Sequence, residues 1–365
     1  MLALATNPVD GASTRFRVEQ WRDHLRAEGI ELQLEPFYPL SASGFVYQEG
    51  RALAKIRQFS EGAARRVDLL RKLPALADVL FVHREAFPLG WSVLLNRIER
   101  FPGAIIYDYD DALFVPQRSG RGILEWVERV DMPARLMRIS DVVLAGNPFL
   151  AEYARRFSDR VILLPTCIDT DRFKPREHLQ SQGRCTVGWI GSHSTAKYLQ
   201  GLIPALERAA ACVPFDLYVV GGPVPISAKG IGIVQAPWSL DREVEDFQRC
   251  DIGVYPLWTD EWSQGKSGFK AIQFMACGIP VIASPVGVTR DIIQTGVNGL
   301  LSSTVEEWAS TLVRLVSDPG FRMALGAAGR RTIEQRYSVT TQAFTFTSAV
   351  REAIARAALR RGVRG

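Results

Sequence analysis

Short apolar runs rich in Val, Ile and Leu recur along this chain, and between them the apolar residues fall at helical spacing. That alternation constrains the fold more than any other feature, because strands separated by helices imply an α/β architecture with largely parallel sheets. In the first half the pattern predicts strands at Met1–Ala5, Ile30–Glu35, Val79–Val82, Ala104–Tyr107, Val142–Ala145 and Val161–Leu164. In the second half it predicts strands at Thr186–Ile190, Asp216–Val220, Gly232–Gln235, Ile252–Tyr255 and Pro280–Ala283. At 365 residues the chain is long for one core, so two domains are expected. The polar, aperiodic stretch from Asp169 to Gly183, with Pro175 inside it, separates the two series. The expected organisation is a first domain over 1–168, a linker over 169–183, a second domain over 184–339 and a final helix over 340–365 that returns to the first domain.

Helical periodicity fills the gaps. Phe16, Val18, Trp21 and Leu25 share one side of a helix that can begin after Ser13, a good capping residue. Leu53, Ile56, Ala63, Val67 and Leu70 form another apolar stripe. Later helices fit Thr195–Cys212, Leu240–Arg249, Ser267–Cys277, Val288–Gln294, Val305–Ser317 and Gly320–Arg336.

Composition excludes several classes. Hydrophobic residues at 47% and charged residues at 23% give an ordinary soluble balance. No apolar run approaches the roughly 18 residues needed to span a bilayer. The N-terminal run is too short for a signal peptide, lacks a basic flank and reads as the first buried strand. The five cysteines are odd in number and lack paired metal spacing, which favours free thiols and a cytoplasmic setting. The net charge of +5 is unevenly spread, with a local net of +5 between Arg51 and Lys72 and of +4 from Arg351 to Gly365. Such clusters suit an anionic membrane at its inner face, a polyanionic partner, or simply a solvated helix face. A nucleic-acid role has no support beyond these clusters, and no Gly-x-Gly-x-x-Gly with a following acidic residue points to a dehydrogenase.

The stretch from Trp262 to Ala283 carries the most chemistry. It reads as a glycine-containing loop that opens a helix near Ser267, Gly268 and Phe269. The helix ends at Gly278 and passes through Pro280 into a buried strand. Backbone N–H groups at a helix start attract anions, and small residues let a phosphate approach. Lys266, Lys270 and Gln273 are spaced to share one face of that helix, opposite Phe269, Ile272 and Ala276.

The run Phe274-Met275-Ala276-Cys277-Gly278-Ile279-Pro280-Val281-Ile282-Ala283, followed by Gly296-Val297-Asn298-Gly299-Leu300-Leu301, resembles the donor-side motif of the family 4 glycosyltransferases. The likeness covers nearly the whole second half and, more weakly, the first. It implies the GT-B fold, two Rossmann-like domains with parallel sheets facing a central cleft. It also implies retaining transfer of a sugar from a nucleotide-diphosphate sugar co-substrate to a hydroxyl acceptor, with no cofactor and no metal. The acceptor it implies is a glycan or a lipid-linked glycan, as in surface polysaccharide synthesis.

The pattern departs from the family at two positions. Two glutamates eight residues apart are usual there, and Gly265 and Gln273 stand in their places. Gln273 retains an amide able to bond donor hydroxyls. The departures make a catalytically inactive nucleotide-sugar-binding or scaffold protein the alternative reading, since fold alone does not prove function.

A second element has the same destination. Gly191, Ser192 and His193 form a small-residue turn after a strand, and Lys197 on the next helix matches the family lysine that contacts the donor diphosphate. Trp189 stands where the family has an arginine. Charge builds on the departing diphosphate, so Lys197 and Lys266 are expected to stabilise it. Trp238, after the strand Gly232–Gln235, resembles the loop that meets the nucleobase, or packs on the next helix.

In the first half, Gly11, Ser13, Arg15 and Arg17 lie in a segment that resembles the cleft-facing glycine loop of GT-B enzymes. His83 ends a buried strand at the position where the family places a histidine under the donor sugar, and is expected to position that sugar. Asp108, Asp110 and Asp111 contain an Asp-x-Asp spacing used for metal elsewhere; at a strand end of this fold, Asp108 and Asp111 are expected to meet acceptor hydroxyls instead. Asn147, also after a strand, is expected to shape the cleft. Closure of the two domains around the substrates would exclude water.

Overall fold

The computed structural model describes residues 1–43, 52–88, 92–115, 131–176, 183–221 and 225–364. Two compact units emerge. One comprises Met1–Thr166 together with the stretch from Gln342 onward, and the other comprises Cys167–Thr341.

The first unit is a parallel sheet of β1 (Leu2–Ala5), β2 (Gln33–Pro36), β3 (Val79–His83), β4 (Ala104–Tyr109), β5 (Val142–Ala145) and β6 (Val161–Leu163). Its spatial order is β2-β1-β3-β4-β5-β6, and every pair is parallel. All residues of β1, β3, β4 and β5 are buried, as expected when helices cover both faces of a sheet.

β2 begins later than the apolar run does. Gly29, at φ 74, turns the chain out of the preceding helix, and the Ile30 N–H bonds back to the Leu25 carbonyl. Ile30 therefore ends a helix and does not start a strand.

The helix expected after Ser13 is broken. It runs Ala12–Arg17, yields to a single 3-10 turn at Glu19–Trp21 and resumes over Arg22–Ala27. Gly11 occupies the N-cap without a side-chain bond, so Ser13 lies inside the helix and caps nothing. Phe16, Val18, Trp21 and Leu25 are nevertheless all buried.

The long helix Ala52–Leu76 buries Gly62, Arg66, Leu70 and Leu73. Of the predicted stripe Leu70 is buried and Ala63 and Val67 are half-buried, whereas Leu53 and Ile56 are exposed. Arg66 joins the buried face, where its guanidinium donates to the Ala5 and Glu35 carbonyls. Burial pushes its pKa down to about 10.

The second unit is a parallel sheet of β7 (Cys185–Ile190), β8 (Phe215–Gly221), β9 (Gly232–Pro237), β10 (Ile252–Tyr255), β11 (Val281–Ala283) and β12 (Leu300–Leu301). Its order is β12-β11-β10-β7-β8-β9, again parallel throughout. β12 is a two-residue edge strand, too short to read from a pattern.

The stretch expected to be a linker is only partly one; its residues 177–182 lie outside the described residues. From Asp169 to Arg176 it is knitted into the second unit. Phe173 is fully buried. Arg172 pairs with Glu243 and Arg176 with Asp251, two buried carboxylates. Arg330 donates to the Thr170 and Phe173 carbonyls.

The final helix spans Val339–Arg364. From Gln342 onward it packs in the first unit, where the buried Phe346 stacks on Trp21 with ring centroids 4.5 Å apart. Its basic residues are largely spent on that docking. Arg351 pairs with Glu28, Arg356 with Asp159 and Arg360 with Asp141, while Glu352 receives Arg160. Three of the five arginines in this tail are thus paired with carboxylates of the first unit.

Candidate active site

In open α/β sheets ligands bind beyond the carboxyl ends of the strands, where the strand order reverses. Each unit has such a point, between β1 and β3 in the first and between β7 and β10 in the second.

At the reversal in the second unit, β7 leads through Gly191 and Ser192 into the turn His193–Thr195 and the helix Ala196–Ala210. The turn is held by Ser192 and Thr195, whose hydroxyl donates to the Ser192 carbonyl at 2.9 Å and accepts from the Ser192 N–H at 3.0 Å. Gly221, at φ 147, passes so close to Gly191 that an added Cβ would lie 2.1 Å from the Gly191 carbonyl oxygen.

Lys197, in the first turn of that helix, is exposed. Its ammonium lies 4.8 Å from the Trp258 ring centroid and 5.3 Å from that of Tyr198. Trp258 comes from the loop after β10, so this cation–π contact spans the strand reversal. Tyr198 reaches the same loop through its hydroxyl, 3.3 Å from Ser263 Oγ. Neither Trp258 nor its contact was expected from the sequence; a large aromatic just beyond a strand's carboxyl end is the signal that marks it.

The loop after β10 ends at Gly268, whose φ of 66 is left-handed and whose position at the N-cap leaves the helix Phe269–Ala276 without a side-chain cap. A side chain there would also meet Ile292 Cδ1 at 2.6 Å. Because the helix starts at Phe269, Lys266 precedes it and does not share a helix face with Lys270 and Gln273 as the spacing implied. Lys266 lies instead over Trp262, 4.6 Å from its ring centroid. Ser267 and Phe269 flank Gly268 half-buried.

Gln273 is corrected by the structure. It is fully buried; its amide nitrogen donates to Glu243 at 3.3 Å and its oxygen accepts from Lys270 at 2.8 Å. Its amide is thereby committed within the unit, and Lys270 with it. Glu243 was not among the residues expected at the site; on the helix Glu243–Gln248, Glu243, Asp246 and Phe247 face inward. Trp189 is a core residue, 3% exposed. Trp238 follows the edge strand β9 with 37% of its surface open.

In the first unit, His83 closes β3 at the reversal. Its Nδ1 lies 2.7 Å from Asp108 Oδ2. Arg17 donates through Nη2 to Asp108 Oδ1, through Nε to Oδ2 at 3.2 Å, and through Nη1 to the Leu164 carbonyl at 2.7 Å. All three side chains are at most 1% exposed. Asp108 therefore orients His83 and is not placed to meet acceptor hydroxyls, and Arg17 is buried beneath it.

The next residue, Arg84, has φ 61, the one positive φ outside glycine among the described residues. Asp110 and Asp111 grip its guanidinium at 2.6 and 2.8 Å. Burial alone would lower the Arg84 pKa, but the two carboxylates outweigh it and hold it raised. Burial likewise pushes Asp110 up, and Arg84 reverses this to leave it well below the usual carboxylate range. The two members of the Asp-x-Asp spacing thus part company, Asp108 turning to Arg17 and His83 and Asp110 joining Asp111 on Arg84. Among the described residues no group of three metal-ligating side chains is gathered anywhere.

The remaining first-unit residues brace loops. Gly11 closes a turn with the Pro8 carbonyl at 2.9 Å, and an added Cβ would meet Asn7 Cβ at 2.8 Å. Arg15 is 7% exposed and donates to the Asp10 carbonyl at 3.0 Å, which folds it back onto its own loop. Asn147 is buried and caps the helix Pro148–Ala154 by accepting the Leu150 N–H at 2.9 Å.

With this geometry in place, the likenesses to known proteins are informative. Residues 184–318 match the family model described as "Glycosyl transferases group 1". Among curated relatives, the D-inositol 3-phosphate glycosyltransferase of Stackebrandtia nassauensis is 28% identical over 239 residues, covering 58% of this chain and 53% of the relative. That of Rhodococcus jostii is 36% identical over 203 residues, covering 48% and 44%. The chain thus spans about half the length of the curated relatives it matches.

Among solved structures, sucrose-phosphate synthase from Thermosynechococcus elongatus superposes with a TM-score of 0.70 at 19% identity, covering 97% of this chain and 99% of the other. Anabaena HepE in complex with UDP and glucose gives a TM-score of 0.65 at 14% identity, covering 96% and 99%. The fold is GT-B. Within it, Lys197, Trp238, Lys266 and Gln273 fall inside the stretch matched by the family model, whereas His83 and Asp108 fall outside it.

Proposed function

We propose that this chain moves a sugar from a nucleotide-diphosphate donor to a hydroxyl acceptor, with retention of configuration. The observation that carries the reading is the Lys197–Trp258 contact across the strand reversal of the second unit. It holds an ammonium without a carboxylate partner among the described residues, at the place where this fold receives ligands. Lys266 and the uncapped start of the helix Phe269–Ala276 add a second cation and a favourable dipole in the same strand-end loop.

Negative charge grows on the diphosphate as the sugar–oxygen bond breaks, and Lys197 and Lys266 stabilise it there. A phosphate oxygen of the leaving group then takes the proton from the acceptor hydroxyl on the same face. The likeness of part of the chain to the D-inositol 3-phosphate glycosyltransferases and of the fold to HepE supports a nucleotide-sugar donor. No cofactor or metal enters this reaction, and the acceptor is a glycan or lipid-linked glycan.

Contact with an anionic membrane belongs to the same reading. The helix Ala52–Leu76 exposes Leu53 and Ile56 beside Lys55 and Arg57, a combination that suits an interface. No helix among the described residues is long and apolar enough to cross a membrane.

The second reading, a binding protein without catalysis, is favoured by Gly265 and by the commitment of Gln273 to Glu243 and Lys270. A panel of nucleotide-sugars separates the two, followed by thermal stability and nucleotide release together. A donor that stabilises the protein and is turned over establishes the transferase. Lys197→Ala should then lower kcat about 100- to 1,000-fold, the cost of removing one such stabilising donor. Near-normal transfer by a folded variant would sink the assignment, and binding without turnover would favour the second reading.

A further inference from the structure

We propose that Asp108 and Arg17 are positioning residues that fix the tautomer of His83, so that its Nε2 presents a lone pair to a hydroxyl group of a sugar substrate. The inference rests on the transferase reading for its substrate class, but its structural half stands alone.

The chemistry begins with Asp108. Its carboxylate is ion-paired with Arg17 and, in that state, can only accept hydrogen bonds. It takes three: from Arg17 Nη2, from Arg17 Nε and from His83 Nδ1. The proton of the neutral imidazole therefore sits on Nδ1, and Nε2 carries the lone pair. Arg17 is held in place from its other side, where Nη1 donates to the Leu164 carbonyl. The ring is thus fixed in orientation and in tautomer by two groups far from it in sequence.

Nε2 is the unsatisfied end. It is buried and has no hydrogen-bond partner among the described residues, which a folded protein seldom tolerates without a use for the group. It lies at the carboxyl end of β3, at the strand reversal of its sheet, and the following residue, Arg84, is held in the left-handed region by Asp110 and Asp111. Backbone held against its preference beside an unpartnered nitrogen is a sign of a preorganised site.

The tautomer has a consequence for selectivity. A lone pair accepts a hydrogen bond from a hydroxyl but faces the lone pairs of an ionised carboxylate or phosphate oxygen. The position next to Nε2 therefore takes a neutral sugar hydroxyl and rejects a uronic acid carboxylate at that carbon.

The test uses the full chain. The sequence has only four histidines, so a 15N spectrum of histidine-labelled protein, assigned with His83→Gln, reads the ring directly. The expected result for the neutral ring is a protonated Nδ1 and an unprotonated Nε2. A neutral ring with its proton on Nε2 would overturn the proposal whatever the enzyme does.

Asp108→Asn keeps the shape but has one acceptor oxygen and a donor NH2 in place of two acceptors, so the tautomer signature should be lost while far-UV circular dichroism is retained. With the donor found by the nucleotide-sugar panel, this variant should lose about 10- to 100-fold in kcat/KM, as when a group orienting a functional histidine is removed. Asp108→Glu should recover part of it. A raised donor KM assigns the hydroxyl to the transferred sugar, and a raised acceptor KM assigns it to the receiving glycan. Unchanged KM for both in a folded variant that has lost the tautomer would overturn the functional half. Absence of any transfer by the wild-type chain, with the expected ring spectrum, would defeat the transferase reading and leave the tautomer assignment standing.

Discussion

Two phenylalanines two positions apart on the final helix offer a stringent test of how that helix docks. Phe346 is 1% exposed and Phe344 is 76% exposed. Phe346 stacks on Trp21 at 4.5 Å with an interplanar angle of 11° and meets the edge of Phe81 at 6.0 Å. Phe346→Ala removes a fully buried ring and leaves a cavity bordered by two large aromatics that cannot collapse into it. Such truncations cost about 3–5 kcal/mol, and the lost ring pairs place this one toward the upper end.

For a unit of this size that corresponds to a fall of about 6–20 °C in the melting transition of the first unit. Phe344→Ala, by contrast, should move stability by no more than about 0.5 kcal/mol. Because the chain has two units, unfolding should be followed by calorimetry with the transitions fitted separately. Equal effects from the two substitutions would refute the docking of this helix face in the first unit. So would a Phe346→Ala protein in which neither transition is lowered.

Arg84 separates backbone strain from charge pairing: Arg84→Gly and Arg84→Ala both lose the ion pairs to Asp110 and Asp111, but only alanine keeps the cost of φ 61. The glycine variant should be more stable than the alanine variant by about 1 kcal/mol in chemical denaturation, and a reversed order would deny the strain. Trp258→Leu, which removes the aromatic face under Lys197, should weaken nucleotide-sugar binding about two- to fivefold in a titration, the value of an exposed cation–π contact of roughly 0.5–1 kcal/mol; unchanged affinity would detach Trp258 from the site. Asp110 has its folded-state pKa lowered by Arg84, so its contribution is present above the unfolded carboxylate value of about 3.9 and is lost as pH falls below it. Arg84→Gly should therefore flatten part of the acid limb of the stability profile, and an acid limb identical to that of the wild type would refute the pairing.

Much of the architecture was legible before any coordinates. Ile252–Tyr255 and Val142–Ala145 are strands at the predicted bounds, because a buried parallel strand is a local apolar run and little else. The helix Val305–Ser317 is also as read, since Thr304 and Glu307 form a capping box that is itself a local signal. Lys197 was legible through its place after a strand and a small-residue turn. Trp258 was not, because its importance lies in the ring it turns toward a lysine 61 positions earlier.

What the sequence by itself determined is the alternation of strands and helices, the turn glycines and the identity of the strand-end loops. Each of these is written in residues within a few positions of one another. What only the tertiary structure decided is the fate of the charged and polar side chains. Arg17 and Asp108 stand 91 residues apart and Gln273 and Glu243 stand 30 apart, yet each pair is buried together. In the sequence, Arg66 interrupts an apolar stripe and the tail arginines look like a cationic surface. In the fold, Arg66 bonds strand carbonyls, and Arg351, Arg356 and Arg360 meet carboxylates on distant elements. The physical reason is that burying a charge is costly unless a partner is waiting, and the partner is supplied by chain topology and not by neighbouring sequence.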